Sequence, residues 1–410
     1  MAKMMDKVAL RRTLGLPMLV LYGLGVTIGA GIYVLVGEAV GRAGIYAPAA
    51  FFLSAVVMGF TAGSFVELSG RVPQAAAEAV YVERAFKRPW LTVVVGMAVL
   101  IDAMIAAAAI SLGAAGYLGV LVPLAESVLV AGVVVSMATL AAWGIRESVG
   151  VAAVMTIVEV LGLMAIVGAG LWADPGMLKD LPEAIPHPTD TLALSGVFAA
   201  SLLAFFAFIG FDDIVNLVEE AKDPLWALPR AIWITLGLVT LIYVMVSFVA
   251  VQAVPLAELA ASTAPVSLLF ERLTGIGPLW ITLIAIMATM NGVVIILIMA
   301  ARVAYGLARE GRLPGWLGEV SSRTRTPLNA TVVVALVVLV MALFAPLHLL
   351  AEATSAIMLA IFVMVNLALI WLKLWGDPPP QGGMTVPLFV PVLGVVTCLV
   401  LLIGPLVFAA

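Results

Sequence analysis

Residues 17–41 read Pro-Met-Leu-Val-Leu-Tyr-Gly-Leu-Gly-Val-Thr-Ile-Gly-Ala-Gly-Ile-Tyr-Val-Leu-Val-Gly-Glu-Ala-Val-Gly. From Pro17 to Gly37 there is no charge over about 21 residues, enough at ~1.5 Å per residue to cross a hydrocarbon core of roughly 30 Å. The stretch predicts a membrane span. Gly23, Gly25, Gly29 and Gly31 crowd its middle, and each glycine loosens a helix by roughly 1 kcal/mol relative to alanine. A helix so weakened at mid-membrane is prone to break. A break is tolerated in a bilayer only where it faces protein or a wet cavity, and its freed N–H groups are good anion ligands. Thr27, Ile28, Gly29, Ala30 and Gly31 therefore read as half of a substrate site. Spacing alone equally permits a packing face, because Gly25 and Gly29 form a GxxxG pair. A phosphate or dinucleotide loop is disfavoured, since no strand precedes the run and no Lys-Ser/Thr follows it.

Composition widens the reading to the whole chain. Hydrophobic residues make up 64% of the 410 and charged ones 11%, against roughly 25% charged in a soluble domain. This is the composition of a polytopic membrane protein. Lys3, Lys7, Arg11 and Arg12 ahead of an apolar stretch resemble a signal peptide, but the apolar run is too long and many spans follow, so it is read as uncleaved. The single cysteine, Cys398, lies in an apolar run and reads as a buried inert thiol. His187 and His348 lie outside the apolar runs, so neither a histidine-rich metal site nor a metal cofactor is expected. A net charge of −4 points to no charged partner, and nucleic acid is not expected.

Apolar segments separated by charge, proline or glycine predict eleven spans: Pro17–Val40, Ile45–Leu68, Trp90–Leu118, Leu121–Trp143, Val149–Trp172, Leu192–Leu217, Ala231–Val254, Leu279–Leu307, Leu328–Phe344, Leu349–Trp375 and Val386–Phe408. With a cytoplasmic N-terminus, 17 of the 20 basic residues fall on the inner side and only Arg42, Lys179 and Arg272 on the outer. That asymmetry sets the expected orientation. The inner loop Arg71–Phe86 mixes apolar and charged residues at helical spacing and predicts a short amphipathic helix.

Span 6 is the second place that resists a plain helix. In Phe205-Phe-Ala-Phe-Ile-Gly-Phe-Asp-Asp-Ile-Val-Asn216, Gly210 is followed by Asp212 and Asp213. A carboxylate costs at least ~2.5 kcal/mol at a helix centre unless it faces water or a partner, so the segment is expected to line a cavity. If spans 1–5 and 6–10 are related units, the two glycine-interrupted spans hold equivalent places, the pattern of an inverted-repeat transporter with a midplane site.

Four stretches carry a family resemblance: GVTIGAGIYVLVG at 25–37, ELSGRVPQAAAEAVYVERAF at 67–86, FFAFIGFDDIVNLVEEAKDP at 205–224 and ATMNGVVIILIMAARVAYGLAREGRLP at 288–314. Together they resemble the amino acid–polyamine–organocation superfamily, and within it prokaryotic amino acid permeases related to cationic amino acid transporters. The resemblance implies an all-α, five-plus-five inverted-repeat transporter fold with discontinuous spans 1 and 6: one transmembrane domain over 1–410, with repeat one at about 14–173, repeat two at about 191–375 and an extra span at about 386–408. It also implies that amides around Gly29, Ala30 and Gly31 hold a substrate α-carboxylate. Carbonyls at Phe206, Ala207 and Ile209, next to Gly210, would hold the α-amino group, with Phe206 or Phe208 as an aromatic lid. Three departures stand out: Gln74-Ala-Ala-Ala-Glu78 where relatives carry a glycine-rich stretch, eleven spans rather than twelve, and Glu159 where proton-coupled relatives can have lysine.

Glu159 sits mid-span with no basic residue near it in sequence, and intramembrane ionisable groups usually mark ion or proton pathways. It is the candidate coupling residue, the alternative being a neutral acid bonded for structure. Glu67, near the inner end of its span, reads as structural, and the role of Asp102 is left open. The reading is a secondary active transporter of amino acids, not an enzyme, in a cytoplasmic membrane, with a coupling proton. An uncoupled exchanger or facilitator, or a polyamine or cationic amino acid transporter, is the alternative. The specific substrate and oligomeric state are not read from the sequence.

Overall fold

A computed structural model describes residues 12–29, 31–73, 77–143, 149–218, 220–376 and 378–408. Ala30, the Gln74–Ala76 stretch and the basic residues Lys3, Lys7, Arg11 and Arg146 lie outside the described residues. The architecture is all-helical. In order come α1 (Leu16–Ile28), α2 (Gly31–Ala43), α3 (Ala47–Arg71), α4 (Ala77–Phe86), α5 (Pro89–Leu121), α6 (Glu126–Trp143), α7 (Val149–Ala173) and α8 (Thr191–Phe208). A 3-10 turn at Phe211–Leu217 follows, then α9 (Pro224–Ala253), α10 (Leu256–Ala261), α11 (Pro265–Thr274), α12 (Leu279–Arg309), α13 (Leu328–Phe344), α14 (Leu347–Trp375) and α15 (Phe389–Phe408). Among the described residues, eight helical runs are long and apolar enough to cross a membrane, and Leu16–Ile28, Leu328–Phe344 and Phe389–Gly404 are shorter apolar helices. The chain is a multi-pass membrane protein, and each of the eleven apolar segments is helical over most of its length.

Boundaries shift where local chemistry outweighs charge counting. Span 7 begins at Pro224, not Ala231, because Pro suits the first turn and Arg230 is satisfied within the helix: its Nη1 donates to the Trp226 carbonyl at 2.9 Å and its guanidinium lies 4.4 Å from the Trp226 ring centre. Span 4 begins at Glu126, and Leu121 belongs to the end of α5. Pro123 holds Val122 extended, at φ −128° and ψ 111°. Span 11 starts at Phe389 rather than Val386, whose backbone is engaged elsewhere.

That engagement is a buried ion cluster. Glu67 on α3 accepts from Arg71 Nε and Nη2 at 2.9 and 2.7 Å and, through its other oxygen, from the Val386 N–H at 2.8 Å and Lys373 Nζ at 2.6 Å. Lys373 also donates to the Val386 carbonyl at 2.6 Å, so the approach to α15 is tied to α3 and α14. Further along α3, side-chain hydrogen bonds join it to α14, the kind of contact that holds helices together where burial of apolar surface in lipid does not drive association. Ser64 donates to Asn366 Oδ1 at 2.6 Å and Asn366 Nδ2 donates to Thr61 at 3.0 Å. Gly394 lets α15 approach, since a Cβ there would lie 2.4 Å from Asn366 Oδ1.

Candidate functional site

Span 1 is two helices. The last α1 bond runs from the Gly29 N–H to the Gly25 carbonyl at 3.2 Å, and α2 starts at Gly31. The four glycines divide the work. A Cβ on Gly23 would sit 2.4 Å from Ile214 Cδ1, and one on Gly25 would sit 2.2 Å from Thr156 Oγ1 of α7, so these two are packing positions. Gly29 caps the end of α1 and Gly31 opens α2.

Span 6 stops at Phe208. Gly210 takes φ +119°, a left-handed conformation that L side chains rarely adopt, and Asp212 Oδ1 accepts its N–H at 2.9 Å. One of the two carboxylates that cost energy in a plain helix thus serves to satisfy the break. The interruptions pack on each other: a Cβ on Gly31 would lie 2.3 Å from Ala207 Cα, and one on Gly210 would lie 2.8 Å from Val26 Cγ1. Tyr243 of α9 spans both. Its hydroxyl donates to the Thr27 carbonyl at 2.9 Å and to the Ala207 carbonyl at 3.0 Å, the C-terminal ends of the two half-helices.

A cavity of about 90 Å³ opens beside this crossing. Of the residues singled out from the sequence, Thr27, Gly29, Gly31, Phe206, Ile209 and Gly210 line it. Ile28 and Ala207 are packed in the core, 0% and 1% exposed, and Ala30 lies outside the described residues. Phe206 is the aromatic on the cavity; Phe208 instead meets Tyr243 edge-on at 5.1 Å. Two carbonyls assigned to the substrate amine already accept within the protein, Phe206 from the Ile209 N–H at 3.2 Å and Ala207 from Tyr243. Sequence reasoning missed Asn291 and Thr354 on the wall and left Asp102 and Asp213 without a role there. The mid-span carboxylate of Asp102 was the available signal; Asn291 and Thr354 are single polar residues with no local pattern.

Glu159 on α7 is 1% exposed and is not among the described residues lining the cavity. It lies one layer away: the Tyr33 hydroxyl of α2 donates to the Glu159 carbonyl at 2.9 Å, and the Tyr117 hydroxyl of α5 donates to the Tyr33 carbonyl. The coupling candidate thus contacts α2, the second half-helix of span 1, through backbone.

On α4, outside the spans, burial pushes the Glu78 carboxyl up to about 8, with Asp212 adding in the same direction. A raised folded-state pKa means the folded chain keeps a proton that the unfolded chain releases, so stability falls as pH rises from about 4.3 toward that value and then levels off. Glu78→Gln should flatten the fall. Its thermal midpoint relative to the parent should be higher at about pH 9 than at about pH 5, and a difference constant across that window would contradict the assignment.

The geometry can be set beside known proteins. A family model described as amino acid permease matches residues 14–410. The branched-chain amino acid permease BcaP of Bacillus subtilis (strain 168) is 29% identical over an alignment of 424 positions, covering 97% of this chain and 88% of that protein. Two Arabidopsis thaliana proteins, cationic amino acid transporter 4, vacuolar, and cationic amino acid transporter 2, vacuolar, are 32% and 30% identical, each over 89% of this chain. The chain spans 63% and 60% of their lengths.

Proposed function

The chain belongs to the amino acid permease family, and from that premise we propose that it is a secondary active transporter, moving amino acids across a cytoplasmic membrane by alternating access and driven by protons. The family makes it a transporter and not an enzyme. The observation that carries the finer reading is the meeting of two interrupted spans at one cavity. N–H groups at the start of a half-helix favour an anion and carbonyls at its end favour a cation, so the pair of breaks suits a zwitterion. The α-carboxylate is placed toward residues 29–31. The α-ammonium is placed toward the end of α8, at Ile209 on the cavity wall. One interruption near the start of each set of five spans supports the inverted-repeat arrangement, with α15 as the additional span. The excess of basic residues on one side supports a cytoplasmic N-terminus.

Coupling is assigned to Glu159. A carboxyl that loads and releases a proton changes from acceptor to donor, and through Tyr33 its backbone is tied to span 1. A bias of only about 1.4 kcal/mol in the inward–outward equilibrium is tenfold. In proteoliposomes the protein should show amino acid counterflow and sodium-independent accumulation under an inward-directed proton gradient. Glu159→Gln should retain exchange and lose the gradient dependence. Absence of counterflow for every amino acid would overturn the transport reading; gradient-driven accumulation that survives the substitution would remove Glu159 from the mechanism.

A further inference from the structure

The short helix α4 meets the break of span 6 through a pair of acids. Glu78, half-buried on α4, is hydrogen-bonded through its side chain to the buried Asp212. Asp212 Oδ1 also accepts the Gly210 N–H at 2.9 Å, so one carboxyl serves both the break and α4. Aromatic contacts seat the helix: Tyr81 of α4 meets Phe65 of α3 edge-on at 5.9 Å, and Phe65 meets Phe211, next to Asp212, at 5.6 Å. Two buried polar groups near the pair have unmet hydrogen bonds. One is the Tyr81 hydroxyl, on a residue 0% exposed and within electrostatic reach of Glu78. The other is Asp102 Oδ1, on a residue 7% exposed and within reach of Glu78, Asp212 and Asp213.

A carboxylate has only acceptors, so two carboxyl groups bond to each other only when a proton lies between them. Among the described residues, the charges acting on Glu78 from other elements are Asp212 and Asp213, both acidic. The cations of the neighbouring helices are engaged elsewhere, Arg71 of α3 and Lys373 of α14 both being bound to Glu67. His348 and Glu352 of α14 lie in its first two turns, at the opposite end from Lys373, and Asp102 is the charged residue of α5. Around the 3-10 turn, Tyr22 of α1 lies within reach of Asp212, Asp213 and Glu220, and Arg230 of α9 is bound to the Trp226 carbonyl. Without the proton, two like charges would face each other at hydrogen-bond distance, which disfavours the docked position of α4.

We propose that Glu78 and Asp212 hold one proton between them and that this proton latches α4 onto the break of span 6. Its loss to water undocks α4 and disturbs the cap on Gly210, which lines the cavity. The ligand of this site is a proton from the side of the membrane that α4 faces, the cytoplasm in the orientation proposed above. Burial pushes the Glu78 carboxyl up to about 8, so release falls at mildly alkaline pH. The latch is separate from Glu159, goes beyond the transport reading and stands without it.

The test places a cysteine at the fully buried Val82 of α4 and reads its labelling by a maleimide in the purified protein. Labelling of Glu83→Cys, at an exposed position on the same helix, normalises for the thiol's own pH dependence. The parent, whose Cys398 is buried, is the blank. Relative labelling of Val82→Cys should rise at least fivefold from about pH 6 to about pH 9. With Glu78→Gln added, the amide donates to Asp212 at every pH and labelling should stay low; with Glu78→Ala it should be high at both. A flat ratio in the protein that keeps Glu78 overturns the inference, and so does a rise that survives Glu78→Gln, whether or not the alanine variant folds. In proteoliposomes with equal pH on both sides, the ratio of amino acid exchange by the parent to that by Glu78→Gln should change at least threefold over the same window. A constant ratio overturns the link to the cavity. Labelling needs no substrate, so failure of the latch and failure of the transport reading are told apart.

Discussion

Gly31→Ala is expected to lower amino acid uptake at least tenfold and to reduce the thermal midpoint of the purified protein. The added Cβ would fall 2.3 Å from Ala207 Cα and 3.1 Å from its carbonyl carbon, and these are backbone atoms that cannot rotate aside. Overpacking of this kind typically costs about 1–3 kcal/mol. Here relief requires the two interrupted spans to separate, so the displacement acts on the cavity and on both carbonyls held by Tyr243. Gly237→Ala in α9 is the control. A Cβ there meets nothing within 4 Å, and replacing a mid-helix glycine with alanine should be neutral or stabilising by up to about 1 kcal/mol. Radiolabelled uptake and thermal melts of the two variants side by side decide the matter: equal behaviour would mean that contact at the crossing does not govern the site.

Tyr243→Phe is expected to lower the maximal transport rate severalfold without raising KM, and to lower the thermal midpoint. The ring is held by edge contacts with Phe51 and Phe208 at 5.9 and 5.1 Å, so phenylalanine keeps the packing and removes one oxygen. One O–H serves two carbonyls, Thr27 and Ala207, and a buried acceptor left unpaired costs roughly 1–3 kcal/mol. In the empty variant both carbonyls lose this donor. Ala207 is buried off the cavity wall, so the empty and occupied states lose the same bond there. Affinity should therefore hold while the cycle slows, because the crossing of the two interrupted spans is loosened in every state. Saturation kinetics in proteoliposomes separates the two effects. A raised KM with an unchanged maximal rate would instead mean that the hydroxyl touches the substrate directly.

Much of this molecule was legible in one dimension. Long apolar runs marked the helical segments, eight of them long enough to cross a membrane among the described residues, because a bilayer demands internal satisfaction of every backbone hydrogen bond along about 20 residues. Gly23 to Gly31 and the Gly210-Phe-Asp-Asp213 run located the two interruptions, because glycine and intramembrane carboxylates are unfavourable in an unbroken helix. Span ends were less legible at Pro224 and Glu126, where proline geometry and the local satisfaction of Arg230 outweighed the charges in the chain.

Only the tertiary structure decided what each glycine does, since a missing side chain acquires meaning from the atoms that come close: Thr156 for Gly25, Ala207 for Gly31, Val26 for Gly210. The same holds for Tyr243, an aromatic in an apolar span with no neighbouring signal, which reaches carbonyls 216 and 36 residues away. It holds too for Asp102, Asn291 and Thr354, drawn from α5, α12 and α14 to one cavity. Local sequence fixes which segments span and where they break, because those are properties of neighbouring residues and their solvent. Which side chains share a cavity depends on how the helices pack, and that is set by many small steric and polar contacts between residues far apart in the chain.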